Sequence, residues 1–212
     1  MTTRVKICGI RTASAALVAA DAGADLLGFC FVPNARRFLG HNEARAVIEA
    51  VRAHRRGGEI EMVGLFVNET PAVIDAVAAD VGLDWAQLCG NETVTAMQGL
   101  DTPALKTIRF TGEPQETSWL MLSIQGVPLV VDAHVQGAWG GTGVIADWQR
   151  AAEYAQTMSL MLAGGLTPAN VADAIRAVRP WAVDVSSGVE TDGVQDHAKI
   201  RAFVQAAKNA SL

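Results

Sequence analysis

The chain has 212 residues, of which 50% are hydrophobic and 18% charged, and its formal net charge is −5. This composition argues against nucleic acid or an anionic membrane as a partner, because both require clustered positive charge. Three widely spaced cysteines give no support to a disulfide framework or a zinc site. Because the sequence shows neither a signal peptide nor an apolar run of membrane-spanning length, we expect a cytoplasmic protein.

Short apolar runs alternate along the chain with segments of helical spacing, in eight successive units. The expected strands are 4–10, 25–32, 61–68, 85–90, 104–110, 128–133, 160–162 and 182–185. The expected helices are 12–22, 42–54, 71–80, a short one after 92, 113–124, 148–156, 169–178 and 193–210. Near-continuous apolar strands separated by helices predict an α/β fold, a single-domain (β/α)8 TIM barrel. A flavodoxin-like open sheet is the alternative.

Glycine-rich segments end the last two predicted strands. Gly164 and Gly165 follow the seventh strand, and Ser186, Ser187 and Gly188 follow the eighth. Backbone amides and small hydroxyls in such turns can surround an anion, and this is where (β/α)8 barrels hold phosphate. The alternative is that these glycines only make tight turns. Two such loops in consecutive units favour a phosphate site.

Polar residues at strand ends are the candidates for chemistry, because barrel active sites lie there. Lys6 and Cys8 share one face of the first strand, since side chains alternate. A buried Lys6 would need a carboxylate partner, for which Asp184 is the candidate, and its charge would lower the pKa of Cys8. The alternatives are that Cys8 is a small buried hydrophobe and Lys6 a surface charge.

Of the other polar residues, Asp132 is a further candidate for chemistry, whereas Cys30 and the histidines are not. Asp132 ends an apolar run, where an unpaired carboxylate is costly unless it is hydrogen-bonded or protonated. Cys30 lies between two phenylalanines and is interpreted as a packing residue. The four histidines lack ligand spacing, which gives little support to a metal site or a Ser/His/Asp site.

Taken together, the motifs resemble the phosphoribosylanthranilate isomerase family over the whole chain. They are KICGI at 6–10, FCFVPNARR at 29–37, VGLFVN at 63–68, QL at 87–88, DA at 132–133, GGTG at 140–143, DW at 147–148, AGGL at 163–166 and VDVSSGV at 183–189. Each motif alone is weak, but their combination in this order is specific.

The resemblance implies a cofactor-free Amadori rearrangement of N-(5′-phosphoribosyl)anthranilate to 1-(2-carboxyphenylamino)-1-deoxyribulose 5-phosphate. It assigns Cys8 as general base, Asp132 as general acid and Arg37 to the anthranilate carboxylate. The expected partner is this small phosphosugar, and the chain is expected to be a monomer or a homodimer. The further substrate-binding residues are expected to be Gly141, Gly164, Gly165, Asp184, Ser186, Ser187 and Gly188.

Two positions depart from the family pattern. The fourth strand of the family usually reads QLHG, and here Cys89 replaces the histidine. The loop after the second strand usually reads S-P/K-R-Y, and here it reads Ala35-Arg36-Arg37-Phe38. Whether Arg36 or Arg37 meets the substrate, and what Cys89 changes, stay open.

Two other functions compete with this interpretation. The histidine-pathway isomerase performs the same rearrangement with two aspartates, and Cys8 argues against it because its first strand would end in aspartate. A non-catalytic phosphosugar-binding barrel would keep the glycine loops but need neither Cys8 nor Asp132.

Overall fold

A computed structural model describes residues 3–54, 56–132 and 147–210. Within them, eight parallel strands pair in sequence order and the eighth returns to the first, which closes a barrel. This confirms the predicted (β/α)8 fold against an open sheet. The strands are β1 Arg4–Ile7, β2 Leu26–Cys30, β3 Glu61–Phe66, β4 Trp85–Leu88, β5 Ala104–Ile108, β6 Leu129–Val131, β7 Leu160–Leu162 and β8 Ala182–Val185.

The first six strands end two or three residues earlier than predicted. Their last predicted residues leave the hydrogen-bonded ladder because the backbone turns there into the loops. Cys8 and Asp132 are examples: each keeps one strand-like bond, from Cys8 N to Val185 O at 2.8 Å and from Asp132 N to Ile108 O at 3.1 Å. These residues therefore stand at the carboxyl-terminal mouth of the barrel.

The helices surround the barrel as predicted. They are α1 Ala13–Ala22, α2 His41–Arg52, α3 Pro71–Val81, α4 Val94–Gln98, α5 Pro114–Ile124, α6 Trp148–Ala155, α7 Val171–Val178 and α8 His197–Lys208. The helix α7 begins two residues later than predicted. Asn170 causes this delay, because its side chain accepts from Thr167 N at 2.7 Å and donates to Gly165 O at 3.0 Å, which holds the entry as a turn.

The last helix also begins later than predicted, because a short hairpin precedes it. Strands β9, Glu190–Thr191, and β10, Val194–Gln195, pair antiparallel around Asp192 and Gly193, which have φ of 51° and 77°. An Asp-Gly pair is a strong signal for a two-residue hairpin turn, and the sequence analysis missed it. Gln195 Nε2 donates to Cys8 O at 3.5 Å, so the hairpin lies beside the end of β1.

Apolar side chains form two layers of core. An inner cluster fills the barrel, and an outer one lies between the barrel and the helices, where α8 buries its apolar face. The inner cluster consists of Leu26, Val63, Leu105, Val130, Met161, Ala163 and Ala182. No helix in the described ranges is long and apolar enough to cross a membrane.

Candidate active site

A cavity of about 470 Å³ opens where the strands end. Its lining brings together the described candidates from the sequence, namely Cys8, Arg37, Cys89, Asp132, Gly164, Gly165, Asp184, Ser186, Ser187 and Gly188. Gly141 and the 140–143 loop lie outside the described residues. One cavity therefore collects side chains from both halves of the barrel.

Lys6 lies fully buried one layer below Cys8, as the alternation along β1 predicted. Its Nζ donates to Asp184 Oδ2 at 3.0 Å and to Gln87 Oε1 at 2.8 Å. The parallel register places Lys6 directly beside Asp184. The predicted ion pair is thus confirmed, and the alternative of a surface lysine is wrong. Asp184 Oδ1 is buried without a hydrogen-bond partner among the described residues, and Asp184 lines the cavity.

Glycine at position 28 makes room for the side chains of Cys8 and Lys6. A Cβ on Gly28 would stand 2.9 Å from Cys8 Sγ and 3.1 Å from Lys6 Cε. Gly28 belongs to β2, which neighbours β1 in the barrel. Because glycine has no side chain, the Cys8 thiol and the aliphatic part of Lys6 can pack against the backbone of β2. Cys8 is consequently only 6% exposed.

The acidity of Cys8 differs from the sequence expectation. Burial raises the pKa of Cys8 to about 12, and the opposing field of Lys6 lowers it less than burial raises it. The predicted influence of Lys6 is present, but the predicted net lowering of the pKa is wrong. Burial also tends to lower the pKa of Lys6, yet Asp184 and the nearby thiols more than offset it, and the pKa of Lys6 is raised. The ammonium therefore stays charged beneath the thiol.

The raised pKa of Cys8 predicts how its reactivity depends on pH in the free protein. Only the thiolate is alkylated, so below a pKa of about 12 the reactive fraction grows roughly tenfold per pH unit. We expect the rate of iodoacetamide labelling at Cys8, followed by mass spectrometry of its peptide, to keep rising to about pH 10. Free cysteine, the control, should level off near its ordinary pKa of about 8.5. A plateau for Cys8 below about pH 9 would contradict the burial effect.

A polar chain continues from Lys6 across the cavity floor. Gln87 Nε2 donates to Thr107 Oγ1 at 3.0 Å, and that hydroxyl donates to Cys89 Sγ at 3.6 Å. Burial raises the pKa of Cys89 to about 11, against the opposing hydrogen bond from Thr107. Cys89 thus stands in the cavity as a neutral thiol at the position of the family histidine.

Cys30 is buried, in keeping with its interpretation as a packing residue, but it also borders the cavity. It is 8% exposed and ends β2, and it faces the cavity, whereas its neighbours Phe29 and Phe31 join the outer core. Strand alternation could have separated the cysteine from the two phenylalanines, but the apolar run around it concealed the two faces.

The two arginines after β2 differ in exposure and share one carboxylate. The side chain of Arg37 is 14% exposed and that of Arg36 49%, and both donate to Glu190. Arg37 lies over Gly9, where φ is 72° and an added Cβ would collide with Arg37 Cδ. Arg37 is therefore the arginine that packs over the residue after Cys8, and its charge also acts on Cys30. Sequence reasoning missed Glu190, which follows the VDVSSGV motif directly.

The glycine-rich ends of β7 and β8 leave backbone donors at the cavity wall. Gly164 and Gly165 have φ of 80° and 65°, the left-handed region that glycine tolerates best. The amides of Gly164, Gly165, Ser187 and Gly188 donate to no other described residue. A Cβ on Gly188 would collide with Leu166 O, so the two loops lie against each other. This arrangement can bind an anion.

Metal-ligand chemistry has no cluster of side chains to support it in the described ranges. No group of three or more His, Cys, Asp or Glu side chains there is arranged as metal ligands would be. The described lining thus offers three buried thiols, two carboxylates, two arginines and backbone amides that donate to no other described residue.

Comparison with known proteins matches nearly the whole chain to one family. Residues 5–206 match the family described as N-(5'phosphoribosyl)anthranilate (PRA) isomerase. An N-(5'-phosphoribosyl)anthranilate isomerase of Roseiflexus castenholzii is 53% identical over 211 residues, 98% of this chain and 99% of that protein. The similarity therefore includes both the barrel and the strand ends that line the cavity.

Solved structures give the same result for the fold. One, of monomers of the dimeric phosphoribosylanthranilate isomerase of Thermotoga maritima, is 34% identical with a TM-score of 0.82 and covers 98% of this chain and 99% of that one. Another is a phosphoribosyl anthranilate isomerase in complex with reduced 1-(o-carboxyphenylamino)-1-deoxyribulose 5-phosphate, with the same identity, TM-score and coverage.

Proposed function

The chain belongs to the N-(5'-phosphoribosyl)anthranilate isomerase family of tryptophan biosynthesis, and on that premise we propose that Cys8 is its general base and Asp132 its general acid. The observation that carries the proposal is their placement at the mouth of one cavity, at the ends of β1 and β6. Three strand steps through β8 and β7 separate them in the closed barrel. A sugar ring between them would meet the two groups on different sides.

The reaction needs one proton given and one removed. Asp132 protonates the furanose ring oxygen, the C1′–O bond breaks, and the nitrogen lone pair forms a C1′=N iminium. The Cys8 thiolate then takes the C2′ proton, the C–H electron pair becomes the C1′=C2′ bond, and nitrogen recovers its lone pair. The resulting enaminol tautomerises to the ketone at C2′.

The environment of Cys8 fits a base that ionises when substrate is bound. A thiol with a pKa of about 12 is almost entirely protonated in the free protein at neutral pH. The Lys6 ammonium below and the iminium cation formed on the substrate both favour the thiolate electrostatically. Once formed, a thiolate of such high pKa is a strong base for a C–H proton.

Groups at the two ends of the cavity hold the non-reacting parts of the substrate. The amides of Gly164, Gly165, Ser187 and Gly188, which donate to no other described residue, suit the phosphate together with the Ser186 hydroxyl. Arg37 suits the anthranilate carboxylate. Asp184 Oδ1, buried and without a hydrogen-bond partner among the described residues, can accept a sugar hydroxyl. Binding energy from both ends can then align C1′ and C2′ between acid and base.

Growth of a tryptophan auxotroph lacking this isomerase tests the proposal. We expect the unmodified chain to restore growth without tryptophan and Asp132→Asn to fail, because the amide cannot supply the ring-opening proton. Asp173→Asn is the matched control, since Asp173 is exposed on α7 and its loss should leave growth unchanged. Growth of the Asp132→Asn strain equal to the control, at equal protein level, would overturn the assignment of the acid.

A further inference from the structure

Glu190 connects the β9–β10 hairpin to the loop after β2, whose two arginines line the cavity. It begins β9, its side chain is 6% exposed, and it accepts hydrogen bonds from both arginines of the loop after β2. Arg37 Nε donates to Oε1 at 2.8 Å and Arg37 Nη2 to Oε2 at 3.0 Å. Arg36 Nη2 adds a bond to Oε2 at 2.6 Å. A nearly buried carboxylate is thus fully engaged by guanidinium groups.

The bonds to Glu190 use only one edge of the Arg37 guanidinium. Arginine carries five N–H donors, and Glu190 accepts two of them, on Nε and Nη2. Three donors remain, two on Nη1 and one on Nη2, and together they form the end-on fork that binds a second carboxylate bidentately. No described residue accepts a hydrogen bond from Nη1.

The net positive charge around Glu190 and Arg37 also suits the binding of a second carboxylate. Two guanidinium groups face one carboxylate, which leaves one unit of positive charge in the trio, and Lys199 Nζ adds another cation 2.7 Å from Glu190 O. The pKa of Glu190 is lowered, because the arginine hydrogen bonds and charges outweigh the effect of burial. The carboxylate is therefore ionised at neutral pH and the trio keeps its net positive charge.

We propose that Glu190 is a positioning residue, which holds the Nε–Nη2 edge of Arg37 so that its other edge is presented to the substrate's aryl carboxylate. This inference rests on the proposed role of Arg37. Two features then hold the Arg37 side chain in place: its packing over Gly9 and its two hydrogen bonds to Glu190. Without Glu190 the long arginine side chain would regain rotamer freedom that binding must remove again.

Steady-state kinetics of Glu190→Gln test the inference. We expect KM to rise about tenfold, as for a weakened charge-assisted hydrogen bond, with kcat within about twofold of the parent. Glu61→Gln is the matched control: Glu61 is also paired with an arginine, Arg4 at 2.7 Å, but it begins β3 at the opposite end of the barrel. Its KM should not change.

Two further measurements separate positioning from a merely structural role. With the N-phenyl analogue of the substrate, which lacks the aryl carboxylate, the Glu190→Gln effect on KM should disappear. In the Arg37→Ala background, adding Glu190→Gln should raise KM no further, because the two residues act through one contact. An equal KM increase with both substrates, or full additivity with Arg37→Ala, would overturn the inference.

Failure of this inference can be told from failure of the proposed function. If Arg37→Ala raises KM for the natural substrate but Glu190→Gln leaves it unchanged or lowers it, Glu190 does not position Arg37. If Arg37→Ala itself leaves KM unchanged, the carboxylate contact is misassigned and the inference fails with it. Should Glu190→Gln not fold, as judged by thermal unfolding, Glu190→Asp keeps the charge but shortens the reach, and the same selective KM increase is expected.

Discussion

Replacing Cys8 with serine is expected to lower kcat by about 10²–10⁴-fold with little change in KM, the usual loss for one acid–base group. A serine hydroxyl ionises far less readily than a thiol, and burial, which raises the pKa of Cys8 to about 12, would penalise an alkoxide further. The glycine-rich loops after β7 and β8 and Arg37, the proposed binding groups, are untouched by the change, so ground-state binding should persist. Single-turnover and steady-state kinetics on purified protein give both constants.

The matched control for this variant is Cys30→Ser. Cys30 is a second cavity-lining thiol with nearly the same exposure, 8% against 6% for Cys8, and no step of the reaction is assigned to it. The chemical change is identical, so any general cost of a hydroxyl in the cavity wall appears in both variants. Equal losses of kcat in the two variants would show that Cys8 is not a specific base.

Replacing Lys6 with methionine is expected to lower the free energy of unfolding by about 3–5 kcal/mol, as for removal of one partner from a buried ion pair. Asp184, only 7% exposed, would be left as an unpaired charge, and Gln87 Oε1 would lose its donor. Urea unfolding followed by circular dichroism measures the change.

Arg4→Met is the control on the same strand. Arg4 pairs with Glu61 at 2.7 Å, but both side chains are about a quarter to a third exposed, at 27% and 34%. Such a pair contributes about 1 kcal/mol or less, because water screens it. Equal destabilisation by the two variants would mean that the Lys6–Asp184 pair is no more important than a surface ion pair.

Local sequence patterns were enough to predict most of the fold. Alternating apolar runs and helical segments located the eight units, and the caps confirm this locally: Thr70 accepts from Val73 N and Pro71 opens α3, as the Thr-Pro pair indicates. The same period-2 rule placed Lys6 on the face of Cys8, and the strand register then sets Lys6 beside its candidate partner Asp184. Short-range rules suffice where the information lies within one or two adjacent strands.

The remaining features of the site depend on distant parts of the chain. The Lys6–Gln87 bond joins residues 81 apart, and the Arg37–Glu190 pair joins residues 153 apart. No spacing within a motif encodes either contact. The pKa of Cys8 was mispredicted for a related reason: the sign of its shift depends on how far burial outweighs the field of Lys6, and burial is set by the closed barrel and by Gly28.

A crystal structure of this chain with reduced 1-(o-carboxyphenylamino)-1-deoxyribulose 5-phosphate, the product analogue, tests the assignment of base and acid most directly. We predict Cys8 Sγ within about 3.5 Å of C2′ and an Asp132 carboxylate oxygen within hydrogen-bond reach of the C4′ oxygen, with phosphate at Gly164, Gly165, Ser187 and Gly188. If C2′ instead faces a carboxylate of Asp184 and the thiol contacts no reacting atom, a two-aspartate mechanism replaces the one proposed.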